Sequence, residues 1–600
     1  MKKVAIVNLA ALFLLAGFFC AGNVPVAKAL DSANASANVV IGQPDFTSNS
    51  GNQGGTDSGA NKTYWPNGAW TDGKKLIFAD IRNNRVLIYN SIPVSNNASA
   101  DVVIGQADFT SHSANQGNAS PGANTLSGPY SVSSDGTRLF VADAMNNRVL
   151  IYNTIPTSNN ASADVVIGQA DFTGNNENQG GSAAANTLDY PYCVHTDGTK
   201  LIVSDASNNR VLIYNSIPTG NNASADVVIG QQNMTSNSEN QGGAAAAANT
   251  LFIPYAVYSD GDKLFIADSN NNRVLIYNHI PTSNNASADV VVGQQNMTSS
   301  DANQGGSVAA NTLSGPVGVY SDGIKLIVSD GSNSRVLVYN TIPTSNNASA
   351  DVVIGQANMT SGTASSAAAN TMGAPSEVYA FGNKLAVTDR MNSRALVYNS
   401  IPTENGAGAS VVLGQENTTA DDADRGGAAA ANTLDEPRGL TFGGTKMFVG
   451  DTGNSRVLIY DAGPQYAIGK NQSANLWNGE KMKVKKKKFE FSGTRATLKK
   501  GKVRLLVNGT SKKLVKIKKS GKWKIKYNHK TNETVRLRFK FYNSSSTNVE
   551  NPETYVVQVS HSGTLTPVTL KRSNLEPRIL KSSESGAKKS EKIDMSEISL

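Results

Sequence analysis

The sequence predicts an all-β protein, namely a seven-bladed β-propeller of four-stranded blades followed by a small β-sandwich. One pattern, Asp-x-x-Asn-(Asn or Ser)-Arg followed by an apolar run ending in Tyr, occurs seven times at intervals of 59 to 63 residues. Each interval also contains four short strand-like runs separated by turn residues. A fixed period of this length indicates a repeat architecture, and four antiparallel strands per repeat are typical of propeller blades.

The second repeat illustrates the four strands, which we name A to D. They are predicted at Tyr130–Ser134, Arg138–Ala142, Arg148–Tyr152 and Val165–Gln169. Asp-Gly separates A from B, and the Asp-x-x-Asn-Asn turn separates B from C, because Asn and Asp tolerate left-handed backbone. Strand C is apolar on both faces, as expected where blades stack face to face. A parallel β-helix would have shorter repeats, and separate four-stranded units could hardly bury a core alone.

The repeat resembles the NHL repeat in three successive motifs. These are Pro-x-x-Val-x-x-Asp-Gly, then Leu-Phe-Val-Ala-Asp, then Asn-Asn-Arg-Val-Leu-Ile-Tyr. The resemblance covers roughly residues 38–465 and implies a propeller, although NHL propellers usually have about six blades and lack the long insertion after strand D. The RNA binding of some cytoplasmic NHL proteins is not carried over, because this propeller is acidic.

The two ends of the repeat region predict how the ring closes. Val39–Gln43 has the sequence of a strand D with no A, B or C before it, whereas the last repeat ends with its strand C at Tyr460. The first segment is therefore expected to complete the seventh blade and remove an exposed edge. The alternative is Tyr466–Lys470, which matches strand D poorly.

The N-terminus predicts secretion. Lys2-Lys3, an apolar run from Val4 to Phe19 and Ala27-Lys28-Ala29 are typical of a signal peptide cleaved after Ala29. A membrane anchor is the alternative, but the apolar run is shorter than a bilayer span requires. The mature chain would keep one cysteine, Cys193, and therefore could form no internal disulfide.

Charge divides the chain into two regions. Residues 1–465 contain 23 Lys and Arg against 36 Asp and Glu, whereas the remainder contains 31 against 10. We expect the propeller at residues 30–470, a basic β-sandwich at 471–570 with weak immunoglobulin-like character, and a disordered tail at 571–600. In the basic region apolar and basic residues alternate, as in half-buried strands.

The repeated Asp and Arg are interpreted as structural residues of the B–C turn rather than a ring of binding charges, because real binding sites usually break the symmetry of a repeat. The residues are Asp80, Asp143, Asp205, Asp268, Asp330, Asp389, Asp451, Arg85, Arg148, Arg210, Arg273, Arg335, Arg394 and Arg456.

Positions that differ between blades are the better candidates for binding. The residue after the strand-A proline should lie at the mouth of the central tunnel, and it is in turn Asn67, Tyr130, Tyr192, Tyr255, Val317, Ser376 and Arg438. Tyrosines there could stack on a sugar or a peptide, or could serve only to pack blades together. Tyr130, Tyr192, Tyr255 and Arg438 are the predicted ligand-binding residues.

The sequence predicts no cofactor, metal site or catalytic constellation. The five histidines, three in the repeats and two in the basic region, fall at unlike positions and show no zinc-binding spacing. The acidic cluster Asp421-Asp422-Ala423-Asp424 lacks the rest of a calcium loop and is interpreted as a solvated surface.

The basic module could bind a polyanion through Lys485, Lys486, Lys487, Lys488, Lys522, Lys524 and Lys526, or could simply be a solvated sheet face. The leading hypothesis is a secreted, non-enzymatic protein of the cell envelope that binds a glycan or protein through the propeller loops. The alternatives are an extracellular metal-dependent lyase or lactonase working in the tunnel, and a structural surface protein.

Overall fold

The computed structural model describes residues 35–363, 367–381, 384–443 and 446–462 of the propeller region. In the C-terminal region it describes Lys518 and nine strands, whose bounds are given below. The predicted signal peptide, the alternative closing segment at 466–470 and the tail beyond Arg572 lie outside the described residues.

The predicted seven-bladed, all-β architecture is confirmed. Each blade is a four-stranded antiparallel sheet in the order A-B-C-D. The blades, in chain order and each from A to D, are Pro66–Thr71, Leu76–Asp80, Arg85–Tyr89, Val102–Ile104; Pro129–Ser134, Leu139–Asp143, Arg148–Tyr152, Val165–Ile167; Pro191–Thr196, Leu201–Asp205, Arg210–Tyr214, Val227–Ile229; Pro254–Ser259, Leu264–Asp268, Arg273–Tyr277, Val290–Val292; Pro316–Ser321, Leu326–Asp330, Arg335–Tyr339, Val352–Ile354; Pro375–Phe381, Lys384–Asp389, Arg394–Tyr398, Val411–Leu413; and Pro437–Gly443, Lys446–Asp451, Arg456–Asp461, Val39–Ile41.

Strand D is shorter than the sequence predicts, and glycine explains why. In blade 2 the strand ends at Ile167, and Gly168 turns the chain with a φ of +92°. A side chain at Gly168 would meet Leu188 at 2.6 Å, so both the backbone conformation and the space require glycine. Gln169 therefore leaves the sheet, and its buried side chain donates to the carbonyls of Asn147 and Asn176.

The hydrophobic core is divided among the interfaces between blades. The cluster between blades 2 and 3 is typical, with Phe140 and Ile151 of one blade packing against Val203 and Leu212 of the next. Strands B and C are buried on both faces, which accounts for their unbroken apolar sequences.

The N-terminal strand closes the ring, as the sequence predicts. Val39, Val40 and Ile41 pair with Ile459, Leu458 and Val457 in antiparallel register. Val40 enters the core between blades 6 and 7, and Val39 and Ile41 enter the core between blades 7 and 1. The last blade is thus made from both ends of the propeller region.

Two kinds of short 3-10 segment connect the strands. Those after strand B are Ile81–Asn83, Ala144–Asn146, Ala206–Asn208, Ser269–Asn271, Gly331–Asn333 and Arg390–Asn392. Those in the D–A loops are Gly51–Gly54, Ala114–Gly117, Glu177–Gly180, Glu239–Gly242, Ala302–Gly305 and Ala423–Gly426. The second kind contains two successive left-handed residues, for example Asn178 and Gln179. The B–C turns and D–A loops meet on one face, since Asn178 and Asn208 exchange amide hydrogen bonds of 2.9 Å.

The C–D loops extend further than strand direction alone predicts. Alternating strand direction would put these loops on the face opposite the D–A loops, but each crosses the outer edge of the preceding blade. Asn221 accepts a hydrogen bond from the backbone N–H of Val166, and the N–H of Asn222 donates to the Val166 carbonyl. The Asn222 side chain then accepts from Gln179 of the D–A loop. This loop therefore covers an edge strand that would otherwise present unpaired backbone groups.

The described C-terminal strands form two antiparallel sheets. One contains Ser473–Asn475, Lys481–Lys485, Lys488–Thr494 and Lys522–Asn528, in that order. The other contains Thr510–Lys516, Lys502–Val507, Thr534–Tyr542, Glu553–Val559 and Leu565–Arg572, in that order. No helix among the described residues is long and apolar enough to span a bilayer.

Candidate functional site at the propeller mouth

The repeated Asp and Arg form seven identical buried pairs. In blade 4, Arg273 Nε donates to Asp268 Oδ2 at 2.7 Å, and both side chains are fully buried. The other guanidinium nitrogens donate to the carbonyls of Met297, Ala247 and Thr250, which belong to the flanking loops. Burial raises the pKa of Asp268, and the Arg273 charge opposes that rise. Each arginine thus holds two loops to its own blade and offers nothing to a ligand.

The repeated Asn and Gln residues of the loops are also internally bonded. Asn115 and Asn146 exchange side-chain hydrogen bonds, and Gln116 donates to Asn160. The acidic cluster at 421–424 occupies the same loop in blade 7, where Asp424 accepts from Asn454 in place of the usual amide. This aspartate is buried in a loop brace rather than presented to solvent.

The three predicted tyrosines lie side by side on the strands A of blades 2, 3 and 4. The ring centroid of Tyr192 is 4.3 Å from that of Tyr130 and 4.1 Å from that of Tyr255. The Tyr192 and Tyr255 hydroxyls are hydrogen-bonded to each other. Burial, reinforced by the neighbouring phenols, raises the pKa of Tyr192. The three rings pack against one another with interplanar angles of 41° and 45°, and we call this group the tyrosine arc.

A second variable position, immediately before the strand-A proline, was not singled out by the sequence analysis. Its residue adopts the left-handed conformation in every blade, with φ between +41° and +61°. Five of the seven residues are not glycine: they are Trp65, Tyr190, Ile253, Ala374 and Glu436. The residue before a proline normally adopts an extended conformation, and a β-branched residue such as Ile253 is a true outlier at positive φ. Strained positions of this kind cluster at functional sites.

The preceding blade holds this strained position in place. The N–H groups of Tyr190 and Ile253 donate to the side chains of Asn147 and Asn209, at 2.8 and 2.9 Å. Those asparagines are the left-handed residues of the B–C turns. The repeated scaffold therefore fixes the backbone, while the side chain at the pre-proline position is free to differ.

These positions share one surface, which we call the mouth. It consists of the residues just before and just after each strand-A proline and the two residues after each strand-B aspartate, in blade 1 Trp65, Asn67, Ile81 and Arg82. The two groups meet within a blade, as shown by the hydrogen bond from the Ile81 N–H to the Trp65 carbonyl. Large exposed apolar side chains occur here, including Trp65 at 36%, Ile253 at 37%, Met145 at 58% and Met391 at 64% exposure.

Arginines occupy the side of the mouth formed by blades 6, 7 and 1. The Arg82 guanidinium lies 3.9 Å from the centre of the Trp65 ring, and that of Arg438 lies 6.0 Å from the same ring. Arg438 also forms a partly exposed ion pair of 3.1 Å with Glu436. Stacking on an aromatic face orients a guanidinium and leaves its edge available for hydrogen bonds. Arg438 was predicted from sequence, whereas Arg82 and Arg390 were not.

Deeper in the tunnel, strand A carries a second aromatic series, three or four residues further along. The rings of His195, Tyr258, Tyr320, Tyr379 and Phe442 follow one another at centroid separations of 5.4 to 5.7 Å. Between the two aromatic levels lies Glu377, whose pKa is raised by burial to about 7 although its carboxylate accepts the Leu440 N–H. The nearby thiol of Cys193 also has its pKa raised by burial.

The predicted lysines lie in the first C-terminal sheet. Lys522, Lys524 and Lys526 are exposed, while Ile525 between them is 1% exposed. Lys485 and Lys488 are paired positions at the ends of adjacent strands. Lys486 and Lys487, between them, lie outside the described residues. Within the described part of the chain no three His, Cys, Asp or Glu side chains are grouped as a metal ion would require.

No protein-family profile matches the chain, and no curated protein sequence is significantly similar to it. The chain is similar to the extracellular domain of a B. thetaiotaomicron protein described as a one-component system, at 10% identity and a TM-score of 0.36 over 84% of this chain and 56% of that one. A second structure of the extracellular domain of the same B. thetaiotaomicron protein, there described as a hybrid two-component system, gives 10% identity and a TM-score of 0.36 over 87% of this chain and 59% of that one.

A Bacteroides fragilis protein described as a 6-phosphogluconolactonase gives 14% identity and a TM-score of 0.33 over 59% of this chain and 87% of that one. The chain therefore spans just over half the length of the first two structures. At these identities the likeness concerns the fold alone.

Proposed function

We propose that this chain is a secreted, non-enzymatic binding protein of NHL type that binds a glycan at the mouth of its propeller. One observation carries the proposal. The side chains repeated in all blades are bonded to one another, whereas the unlike side chains are gathered on the mouth, where the tyrosine arc stands.

The chemistry of the arc suits a sugar. Tyrosine combines a flat apolar face with a polar hydroxyl, and its two side-chain torsions limit the entropy lost on binding. The arc is also already ordered, because Tyr192 packs against Tyr130 and Tyr255 and shares a hydrogen bond with the latter. A preformed aromatic group reduces the free-energy cost of binding.

Printed glycans test the proposal directly. The mature chain, residues 30–600, is applied to an array of neutral and charged saccharides as wild type, Tyr192→Ala and Tyr192→Phe. We expect saturable binding that Tyr192→Ala weakens at least tenfold and Tyr192→Phe largely keeps, since phenylalanine preserves the ring against which Tyr130 and Tyr255 pack. The proposal would be contradicted if the chain bound an envelope protein and none of the printed glycans. It would also be contradicted if Tyr192→Ala bound glycans as tightly as wild type.

A second role, attachment to an anionic surface, is supported by the strand Lys522–Asn528. Lys524 and Lys526 are exposed on either side of buried Ile525, Lys522 is exposed as well, and the register aligns positions 481 and 483 with Lys524 and Lys526 across the sheet. Such a face suits a polyanion bound by counterion release. We expect wild type to bind heparin-type resin and elute at higher salt than a variant with Lys522, Lys524 and Lys526 changed to Gln. Identical elution would argue for a solvated face.

A further inference from the structure

The mouth is chemically divided into two sides. Blades 2, 3 and 4 supply the tyrosine arc together with Tyr190, whose ring centroid lies 6.5 Å from that of Tyr130. Blades 6, 7 and 1 supply Arg390, Arg438 and Arg82. Each arginine departs from its repeat, because the equivalent positions in the other blades carry no arginine.

These three arginines differ in burial from the seven structural ones. The structural arginines are fully buried and each is bonded to an aspartate and several carbonyls. Arg82 is instead exposed, and Arg390 and Arg438 are partly exposed. Arg438 also has an Nε that is shielded from solvent and has no hydrogen-bond partner among the described residues. A buried guanidinium N–H without a hydrogen-bond partner can donate to an acceptor on a bound ligand.

The two sides belong to the same mouth, because the seven blades form one closed ring. Burial raises the pKa of Tyr255, and the positive charges of Arg438 and Arg390 oppose that rise from across the mouth. Arg438 and Arg82 both lie against the ring of Trp65, so the basic side is continuous from blade 7 to blade 1. The only acidic mouth residue in contact with these arginines, among those described, is Glu436, which is 53% exposed.

We infer that the ligand of the mouth is an acidic saccharide, whose carboxylate, sulfate or phosphate group lies on the Arg82–Arg390–Arg438 side and whose sugar ring stacks on the tyrosine arc. This rests on the proposed function. Guanidinium groups bind such anions through paired hydrogen bonds, which neutral sugars cannot supply. A long nucleic acid is the weaker candidate, since residues 1–465 contain more acidic than basic residues and would repel an extended polyanion.

The test compares matched sugars. The full mature chain carries Lys522→Gln, Lys524→Gln and Lys526→Gln, so that the basic module does not dominate. It is applied to a panel in which each carboxylated, sulfated or phosphorylated saccharide is printed beside its neutral parent. The same background then receives Arg82→Gln, Arg390→Gln or Arg438→Gln, with exposed Lys74→Gln in an A–B turn as the charge-matched control.

At least one acidic saccharide is expected to bind at least tenfold more tightly than its neutral parent. The class of saccharide that binds identifies whether a carboxylate, a sulfate or a phosphate is recognised. Each arginine variant should lose about five- to twentyfold on the acidic sugar while Lys74→Gln changes nothing. Neutral and acidic sugars bound equally, with silent arginine variants, would overturn the inference and leave the proposed function standing. Binding of single-stranded DNA but of no saccharide would overturn both.

Discussion

The seven arginines that follow the B–C turns have no exposed surface, whereas the three arginines of the mouth reach solvent. The same residue type thus holds loops together in one position and faces a ligand surface in another. Burial and partners, rather than identity, separate the two roles. The distinction has consequences for stability that can be measured one residue at a time.

Replacing a structural arginine should be costly. Arg273→Ala would leave Asp268 buried without its cation and would free three loop carbonyls. Breaking a buried pair by removing one partner typically costs about 3–5 kcal/mol. We expect a loss of that size in the free energy of unfolding, measured by urea denaturation.

The matched control is His279→Ala, because His279 and Asp262 form a pair of 3.0 Å that is largely exposed. Exposed pairs contribute about 0–1 kcal/mol, so this variant should unfold like wild type. An Arg273→Ala protein within about 1 kcal/mol of wild type would show that the buried pairs do not secure the loops.

Glu377 predicts a dependence of stability on pH. Its pKa rises from an ordinary 4.5 to about 7, chiefly because of burial. A carboxyl group with a raised pKa releases its proton more readily when the chain unfolds, so its contribution to stability is complete below about pH 4.5 and is lost as the pH rises to about 7. Glu377→Gln should therefore match wild type near pH 4.5 and be the more stable protein at pH 8.

Thermal unfolding across this pH range measures the effect. At about 1.4 kcal/mol per pKa unit, the gain at pH 8 has an upper bound of about 3 kcal/mol. Exposed Glu404→Gln is the control and should give the same profile as wild type. A Glu377→Gln difference that is constant with pH would indicate a packing effect instead.

At the scale of elements, the outer edge strands of the blades are hydrogen-bonded to other segments of the chain. The C–D loop of one blade bonds to strand D of the preceding blade, and the N-terminal strand completes blade 7. Both devices remove unpaired backbone groups that would favour association. The N-terminal strand contributes additionally to two blade interfaces.

A charge in the closing strand should open the ring. Val40→Asp would place a carboxylate at a position with 0% exposure, and an isolated buried charge is strongly unfavourable. We expect a lower melting temperature, with a loss of more than about 3 kcal/mol, and higher oligomers in size-exclusion chromatography. Val94→Asp, at a position 84% exposed, is the control. A monomeric Val40→Asp protein of unchanged stability would mean that the ring is closed by other contacts.

For the whole molecule, the seven-fold repetition made the architecture predictable from sequence. The interval of about 62 residues, the turn signals and an unpaired strand D at the N-terminus were sufficient for blade number, blade topology and ring closure. The two C-terminal sheets follow in the same way from alternating apolar and basic residues. Because the same local pattern recurs in all seven blades, a strand that is ambiguous in one blade is resolved by its counterparts in the others.

The mouth was only partly predictable. Tyr130, Tyr192 and Tyr255 could be placed because they follow a proline that marks the start of the innermost strand. The pre-proline residues were missed because an X-Pro sequence normally indicates extended backbone. Arg82 and Arg390 lie in the B–C turns, at the two positions after the repeated Asp where the residue varies from blade to blade. Both arginines stand out when the same turn position is compared across all seven blades.

Hydrogen–deuterium exchange of residues 30–600, with and without a saccharide found to bind, tests the central claim most directly. Slower exchange is expected in the segments of the mouth, at residues 64–67, 80–84, 128–131, 189–193, 252–256, 389–393 and 435–439. The A–B turns on the opposite face and the strand Lys522–Asn528 should exchange unchanged. Slower exchange confined to those turns or to that strand, with the mouth unaltered, would contradict the claim that this propeller recognises its ligand at the mouth.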